Sequence, residues 1–360
     1  MKFLKCAFAP PDFDGSSIGG VTDKFSGKST AIKYRYTNAP LYNNGTSFVP
    51  WIAGRDYYVL LAPTPGIAYF VASVTAGAAP GRSVNFQAVT YSSFSGLFDV
   101  AGDGKSCANL TTKYRYVSNH FEFVPTMNAT SWAGNIQVFK LPVQCVRREN
   151  DDGGGNDRLT VTGLGSSIVN SGVESILSTG INASDMDQYT GPYNLGCYTA
   201  AYMRGGDSWN WSDIWDEQNP IPAISQAGDW GSLGNGSKSI PGFDNNFETT
   251  VIKFSGLGST APQGIIKTWA CVEHQFVPGS VMYEMQNNRN CYDPQAMEMY
   301  RAVIQELPIG VSFLDNDSFW QRVLAIIRRV SGAASVIPGP YGMAATGVNL
   351  VANALESLTM

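Results

Sequence analysis

Charge is what this sequence has least of. Asp, Glu, Lys and Arg make up only 15% of its 360 residues, well below the quarter usual in globular chains. A surface with so few charges is largely neutral. That suits a protein surrounded by its own copies, and it suits equally a Ser/Thr/Asn-rich extracellular β-protein. The formal net charge is −5, and no Lys/Arg run exceeds two residues. These residues therefore hold no nucleic-acid-binding tail. If nucleic acid is packaged, the basic segment is expected outside them. Histidine is nearly absent, with only His120 and His274. Both lie in or beside apolar strand patterns and read as structural. No H-E-x-x-H, P-loop or dinucleotide fingerprint occurs, and nothing suggests a turnover enzyme. Cys6, Cys107, Cys145, Cys197, Cys271 and Cys291 lie far apart without CxxC spacing, and they read as mostly free, buried thiols. No apolar run reaches the roughly 18 residues of a membrane-crossing helix. The opening MKFLKCAFA is broken by Lys5 and stopped by Pro10-Pro11, too short for the core of a secretion signal. Without that signal, the N-x-[ST] sequons at Asn44, Asn109, Asn128, Asn182, Asn210, Asn235 and Asn316 read as chance.

Short apolar or alternating runs divided by turns are what the chain does contain. Residues 1 to about 30 read as irregular. Tyr57–Ala62 and Ile67–Val74 read as strands around the turn Pro63-Thr64-Pro65-Gly66. Lys113–Val117 and His120–Val124 alternate, and Ile136–Val143, Thr249–Phe254 and Gly264–Val272 are strand-like. Strands punctuated by Gly, Pro and Asn predict an all-β sandwich or barrel. The acidic, Gly-rich ENDDGGGND at 149–157 opens a loop-rich, β-rich insertion that runs to about 245.

Helices are expected near the C-terminus. Asp293 fits an N-cap and Pro294 the first helical position, while Met297, Tyr300, Val303, Ile304 and Leu307 share a face. Pro308 ends that helix. Ser318 to Gln321 fits an S-x-x-Q capping box for a second helix. Its apolar stripe is Phe319, Trp320, Val323, Leu324, Ile326, Ile327 and Val330, with Gln321, Arg322, Arg328 and Arg329 opposite.

Just before that stripe stands FLDNDSFW, residues 313–320. The side-chain nitrogen of an asparagine can attack its own backbone carbonyl, close a five-membered imide and cut the chain. The amide is a poor nucleophile, so the reaction is slow in water. A buried carboxyl group, kept protonated by desolvation, can polarise the carbonyl or shuttle a proton. The bland reading of Asn316 is a helix flank. A second acidic stretch, GGDSWNWSDIWDEQ, holds Asp207, Asp213, Asp216 and Glu217. It reads either as a solvated loop or as a source of oxygen ligands for Ca²⁺.

FLKCAFAPPDF at 3–13, APTPGIAYFVASV at 62–74, MYRAVIQELP, NDSFWQRV and IPGPYGMAATGV at 337–348 occur in one order. In these motifs the chain resembles the coat proteins of insect nodaviruses. They span both ends and several core strands, while residues 150–245 diverge. The resemblance implies an eight-stranded jelly roll with an inserted, protruding β-rich domain and C-terminal helices. The implied division is an inner-surface segment over 1–50, a shell domain over 51–148 and 246–290, and a protruding insertion over 149–245. An inner helix follows over 291–316 and a membrane-active peptide over 317–360. The family also implies an icosahedral T = 3 shell around viral RNA, built in the host cytoplasm, and a host receptor. A maturation cut after Asn316, assisted by Asp12, is implied as well.

By the same resemblance, Phe319, Trp320, Val323, Leu324 and Ile327 would face a host membrane, which their pattern of Trp and Phe opposite Arg also fits. Lys2, Lys5, Lys24 and Lys28, with Lys33 and Arg35, would face RNA. Calcium would be held by Asp207 and Asp216. The chain departs from the family pattern at three places. Asp317 follows the scissile residue where a family member has Ala, Asn210 replaces Glu, and Asn109 replaces Asp. A charge beside the cut is expected to slow it or alter its pH dependence. Two rivals fit the composition: a secreted lectin-like β-sandwich, and a pore-forming protein that forms no shell.

Overall fold

The computed structural model describes residues 2–9, 19–25, 27–38, 54–63, 65–75, 87–91, 111–126, 133–141, 144–148, 158–162, 188–203, 209–213, 244, 247–258, 264–284, 286 and 292–335. The strands are β1 (Thr30–Asn38), β2 (Arg55–Leu61), β3 (Ile67–Thr75), β4 (Gln87–Thr90), β5 (Thr111–Pro125), β6 (Asn135–Leu141), β7 (Gln144–Arg148), β8 (Arg158–Thr162), β9 (Gln188–Pro192), β10 (Cys197–Ala201), β11 (Ser212–Asp213), β12 (Thr249–Ser255) and β13 (Gly264–Phe276). The helices are α1 (Lys2–Phe8), α2 (Val281–Glu284), α3 (Pro294–Glu306) and α4 (Asn316–Ser335).

Two sheets carry the fold. One runs β1-β13-β5-β10, with β11 also paired to β5. The other runs β4-β3-β2-β12-β6-β9. With β3, β4 and the short β11 set aside as additions, eight strands remain, four in each sheet. Consecutive strands alternate between sheets except at β6 and β9, which pair within one sheet, and the last strand returns beside the first, which is the connectivity of a jelly roll. The core lies between the sheets. Phe123 of β5 meets Phe254 of β12 with ring centroids 5.0 Å apart, and Tyr36 of β1 meets Tyr69 of β3 at 5.7 Å.

The alternating segments 113–117 and 120–124 prove to be one 15-residue strand, β5. Its register against β13 shifts so that Ser118 faces Cys271 while Tyr116 faces Val272. Val117 is the extra residue of a bulge, and a bulge breaks a two-residue period. Above and below it, β5 remains buried on both faces. The second layer on the face away from the core is α1 and α3.

The structure revises three expectations. First, residues 2–8 form a helix. Phe3, Leu4, Cys6, Ala7 and Phe8 are all buried, against β5 and α3, so the segment has no polar face wide enough to mark it as amphipathic. Second, β9 and β10 fall inside the expected insertion at 149–245 yet hydrogen-bond to β6 and β5. β1 likewise joins β13, so residues 30–38 belong to the shell sheet rather than to a separate inner segment. Within the described residues, the material outside both sheets includes the β7–β8 hairpin. Third, α4 starts at Asn316 rather than after a cap at Ser318. A single 3-10 turn, Phe313–Asp315, leads into it. The cap is Ser312, whose hydroxyl donates to Asp315 Oδ2 at 2.5 Å and accepts from the Asp315 amide at 3.1 Å. The serine accepts from the amide three residues on, as an N-cap does, six residues before the expected position.

Candidate functional site

The face of sheet one that α1 covers is built around aromatic side chains. Tyr300 of α3 packs against Trp209 at 5.0 Å, Phe8 at 5.3 Å and Phe3 at 5.5 Å. Tyr300 is positioned because Asp293 caps α3 as expected, accepting from the Ala296 amide at 3.1 Å. The Tyr300 hydroxyl then accepts from the Met203 amide at 3.1 Å. Each large apolar side chain buried here contributes about 1.5–3 kcal/mol, enough to hold a seven-residue helix that would not form alone.

Into this layer β5 sends His120. Its Nε2 lies 3.0 Å from the Ala7 carbonyl and its Nδ1 lies 2.5 Å from the Tyr198 hydroxyl. A carbonyl only accepts, so Nε2 carries the proton. Nδ1 must then accept from the phenol. Burial pushes the imidazole down to about 3; the Ala7 carbonyl opposes that shift and Lys140 adds to it. The ring is therefore neutral at physiological pH.

Tyr198 extends this connection to the Asn316 region. Its backbone pairs in both directions with Val311, at 2.9 and 3.0 Å. Next to it, Thr199 Oγ1 donates to the Ile309 carbonyl at 2.7 Å. The segment before α4 is thus held on the edge of β10. The Tyr198 ring meets Phe319 at 5.2 Å and Trp320 at 6.2 Å. One residue grips the chain on both sides of Asn316. Asp315, the neighbouring carboxylate, is exposed and engaged with Ser312. It is not the desolvated acid that imide closure needs.

The N-terminal side of the site is pinned by a second cluster. Arg115 Nε donates to Glu273 Oε2 at 2.8 Å, and its Nη1 donates to Asp23 at 2.6 Å and to the Trp209 carbonyl at 3.1 Å. The guanidinium lies over Trp211 at 4.3 Å. Glu273 also accepts from the Val21 amide at 3.0 Å and from the Ser29 hydroxyl at 2.5 Å. Gly20 passes so close to this carboxylate that a Cβ would sit 2.4 Å from its Cδ. The Gly19 amide donates to Cys6 Sγ at 3.1 Å. Gly19 therefore lies beside α1.

The residues proposed from sequence fare differently. Asp12, Asp207 and Asp216 lie outside the described residues. Asn316 and Asp317 form the first turn of α4, and their side chains are likewise outside the described set. Among the described residues no cluster of three or more His, Cys, Asp or Glu is placed to hold a metal ion. Of the membrane-facing stripe, Phe319, Val323 and Ile327 are buried in the folded chain, and Trp320 and Leu324 are half-buried. No described helix is long and apolar enough to cross a membrane. Lys2, Lys24 and Lys28 are exposed and Lys5 half-buried. Lys24 sits over the Tyr292 ring at 5.6 Å and Lys28 over Tyr283 at 5.5 Å. His274 is buried, 3.0 Å from the Tyr34 hydroxyl, and burial pushes it too down to about 3. Sequence reasoning missed the Tyr198–His120 pair, the Ser312 cap and the Arg115–Glu273 cluster. Only the cap left a local signal, the Ser312-x-x-Asp315 spacing.

The Peptidase A6 family model matches residues 1–357. "Capsid protein alpha" of Black beetle virus is 31% identical over 357 residues, covering 97% of this chain and 82% of that protein. The proteins of the same name from Flock house virus and Pariacoto virus are each 30% identical and cover 97% of this chain, spanning 82% and 84% of their own lengths. Among solved structures, the chain is similar to that of the T13 particle of infectious bursal disease virus. The TM-score is 0.52 at 8% identity, covering 90% of this chain and 96% of that one. Derived T=1 particles of the same virus give 0.53 at 8% identity, with the same coverage. At such identity the likeness is one of fold.

Proposed function

The chain belongs to the Peptidase A6 family, and from that premise we propose a structural capsid protein that cuts itself once after assembly. The relatives named capsid protein alpha and the jelly-roll strand order support a virion component that packs against other copies of itself. In the finer reading the shell is a T = 3 icosahedron around viral RNA, assembled in the host cytoplasm. The cut falls between Asn316 and Asp317.

The chemistry follows from the residues. The Asn316 side-chain nitrogen attacks the Asn316 backbone carbonyl carbon. The bond to the Asp317 nitrogen breaks, and that nitrogen leaves as an amine carrying a proton. Asp12 supplies the acid: held protonated in a dry site, it hydrogen-bonds the attacked carbonyl, passes its proton to the leaving amine and takes one back from the attacking nitrogen, which becomes the imide N–H. Water then opens the imide. The event is a single turnover.

One observation carries this reading. The approaches to both residues converge on one buried patch. Ala9, the residue after α1, stands three residues before Asp12, a reach of at most about 11 Å. The carbonyl of Ala7 connects through His120 to Tyr198, which grips Val311 and Phe319 around Asn316. Two residues more than 300 positions apart in sequence need such a scaffold to act as if intramolecular. Position 316 also opens α4, where the amides of a first turn lack partners four residues back. Opening that turn to let the side chain reach its own carbonyl disrupts few hydrogen bonds.

The released residues, 317–360, act on a host membrane in this reading, through Phe319, Trp320, Val323, Leu324 and Ile327. Lys2, Lys5, Lys24 and Lys28 face RNA. The β7–β8 hairpin and the connections around it contact a receptor; unchanged cell attachment after deletion of 149–162 refutes that part. Asp207 and Asp216 hold calcium at subunit contacts.

Intact mass spectrometry of purified particles, wild type beside Asp12→Asn, tests the cut. The expected result is loss of residues 317–360 from the wild-type chain and an uncut variant. A full-length chain in mature wild-type particles overturns the assignment of Asn316, and a cut Asp12→Asn chain overturns that of Asp12.

A further inference from the structure

We propose that Tyr198, anchored by His120, is the positioning residue of the self-cleavage and fixes the chain on either side of Asn316 relative to α1, the helix that precedes Asp12. The inference rests on the cleavage reading above and adds two residues to it.

Tyr198 makes every contact that such a role requires. Its main chain fixes Val311, five residues before Asn316. Its ring fixes Phe319 and Trp320, three and four residues after. Its hydroxyl is committed to His120, and His120 is committed to the carbonyl of Ala7 near the end of α1. Both side chains are buried, at 1% and 0% exposure. The two strands that carry them are hydrogen-bonded neighbours, with Ala200 opposite His120 and Glu122 opposite Tyr198. The pair therefore couples two segments that the sheet alone leaves independent: α1 on one side, the edge of β10 with α4 on the other. Elsewhere on this face the Ser118 hydroxyl ties the Cys6 carbonyl of α1 to β5, and Tyr300 accepts from the Met203 amide; His120 and Tyr198 extend that hold from α1 to the edge of β10. The two hydrogen bonds are directional and set one register.

Neither residue needs to touch the reacting atoms. A misplacement of about 1 Å far from the chemistry can cost a hundredfold in rate. Tyr198→Phe keeps the ring and the main-chain pairing with Val311 but loses the link to His120. His120→Leu keeps bulk and loses both hydrogen bonds. His120→Gln retains one donor for Ala7 and one acceptor for Tyr198, so it serves as the conservative rescue.

The test is the first-order rate of cleavage in assembled particles as a function of pH, alongside particle melting temperature. Tyr198→Phe and His120→Leu are expected to assemble and to cut about tenfold to a hundredfold more slowly. His120→Gln is expected to cut within a few fold of wild type, with the pH profile unchanged in shape because the acid is elsewhere. Equal rates for wild type and Tyr198→Phe, or for His120→Gln and His120→Leu, overturn the proposal, as does a changed pH profile in Tyr198→Phe, which would make the phenol a proton donor. If Tyr198→Phe does not assemble, the Gln/Leu comparison decides. Uncut wild-type particles bring down the cleavage reading itself. Cut wild type with unaffected variants brings down only the role of this pair.

Discussion

Lowering the pH from 7 to 5 should weaken the folded chain through its two histidines. In the unfolded chain an imidazole takes its proton near the ordinary value of 6.5, whereas in the fold burial holds His120 and His274 down to about 3. Between those values the unfolded state binds more protons. The stability they contribute is therefore fully present above pH 6.5 and is lost as the pH falls toward 3. Over the step from pH 7 to pH 5 the linkage amounts to about 2 kcal/mol for each ring, or about 4 kcal/mol together. No other histidine exists in the chain to blur the result, and most carboxylates stay ionised across the step. Urea unfolding of the 360-residue chain at both pH values, followed by tryptophan fluorescence, reads the change directly. The His120→Gln, His274→Gln double variant should start lower at pH 7 but show little further loss at pH 5. A wild-type loss below about 1 kcal/mol, or an equal loss in the double variant, refutes the reasoning.

Glu273→Gln removes the charge that compensates buried Arg115. With Asp23 and Trp211 still in contact with the guanidinium, a cost of about 3 kcal/mol is expected in urea unfolding, and a cost near zero would mean that residues 19–29 are held by packing alone. Asp317→Ala removes the charge beside the scissile bond and should speed cleavage in particles, seen as earlier loss of residues 317–360 by mass; an unchanged rate clears Asp317 of any influence. If calcium sits at Asp207 and Asp216, a chelator lowers the particle melting temperature and Asp216→Asn particles no longer respond. A wild-type particle indifferent to chelator removes the cation from the account.

Strands with clean alternation or an unbroken apolar run were legible in the sequence. β2, β3, β12 and the start of β13 match their expected positions within a few residues, and Asp293 caps α3 as its spacing indicated. What stayed hidden was set by tertiary contacts. β9 and β10 are five residues each, lie in a Gly- and Asn-rich stretch, and separate themselves from it only by pairing with β6 and β5. α1 hides because nearly every side chain is buried, which erases the helical period. Asn316 was visible from its acidic neighbours and from a family motif. The residues gripping it were not, since His120 and Tyr198 stand 78 positions apart and His120 and Ala7 113, and nothing local distinguishes a tyrosine that holds a chain from one that fills space.

The burial of Phe319, Val323, Ile326 and Ile327 separates two events that are easily treated as one. Those side chains hold α4 against the rest of the chain by roughly 6–12 kcal/mol of apolar contact, and a cut at its first turn touches none of them. Severed at that turn, α4 would remain docked. Such a cut would change the order of the undocking reaction instead. While tethered, α4 rebinds its groove at a local concentration that dilution cannot lower. Once severed it is a ligand, with an off-rate of its own and an occupancy that depends on volume. Inside a closed shell that volume is small and the helix stays seated. When the shell opens, the same contacts face an essentially unlimited volume, and departure is irreversible without any further chemistry.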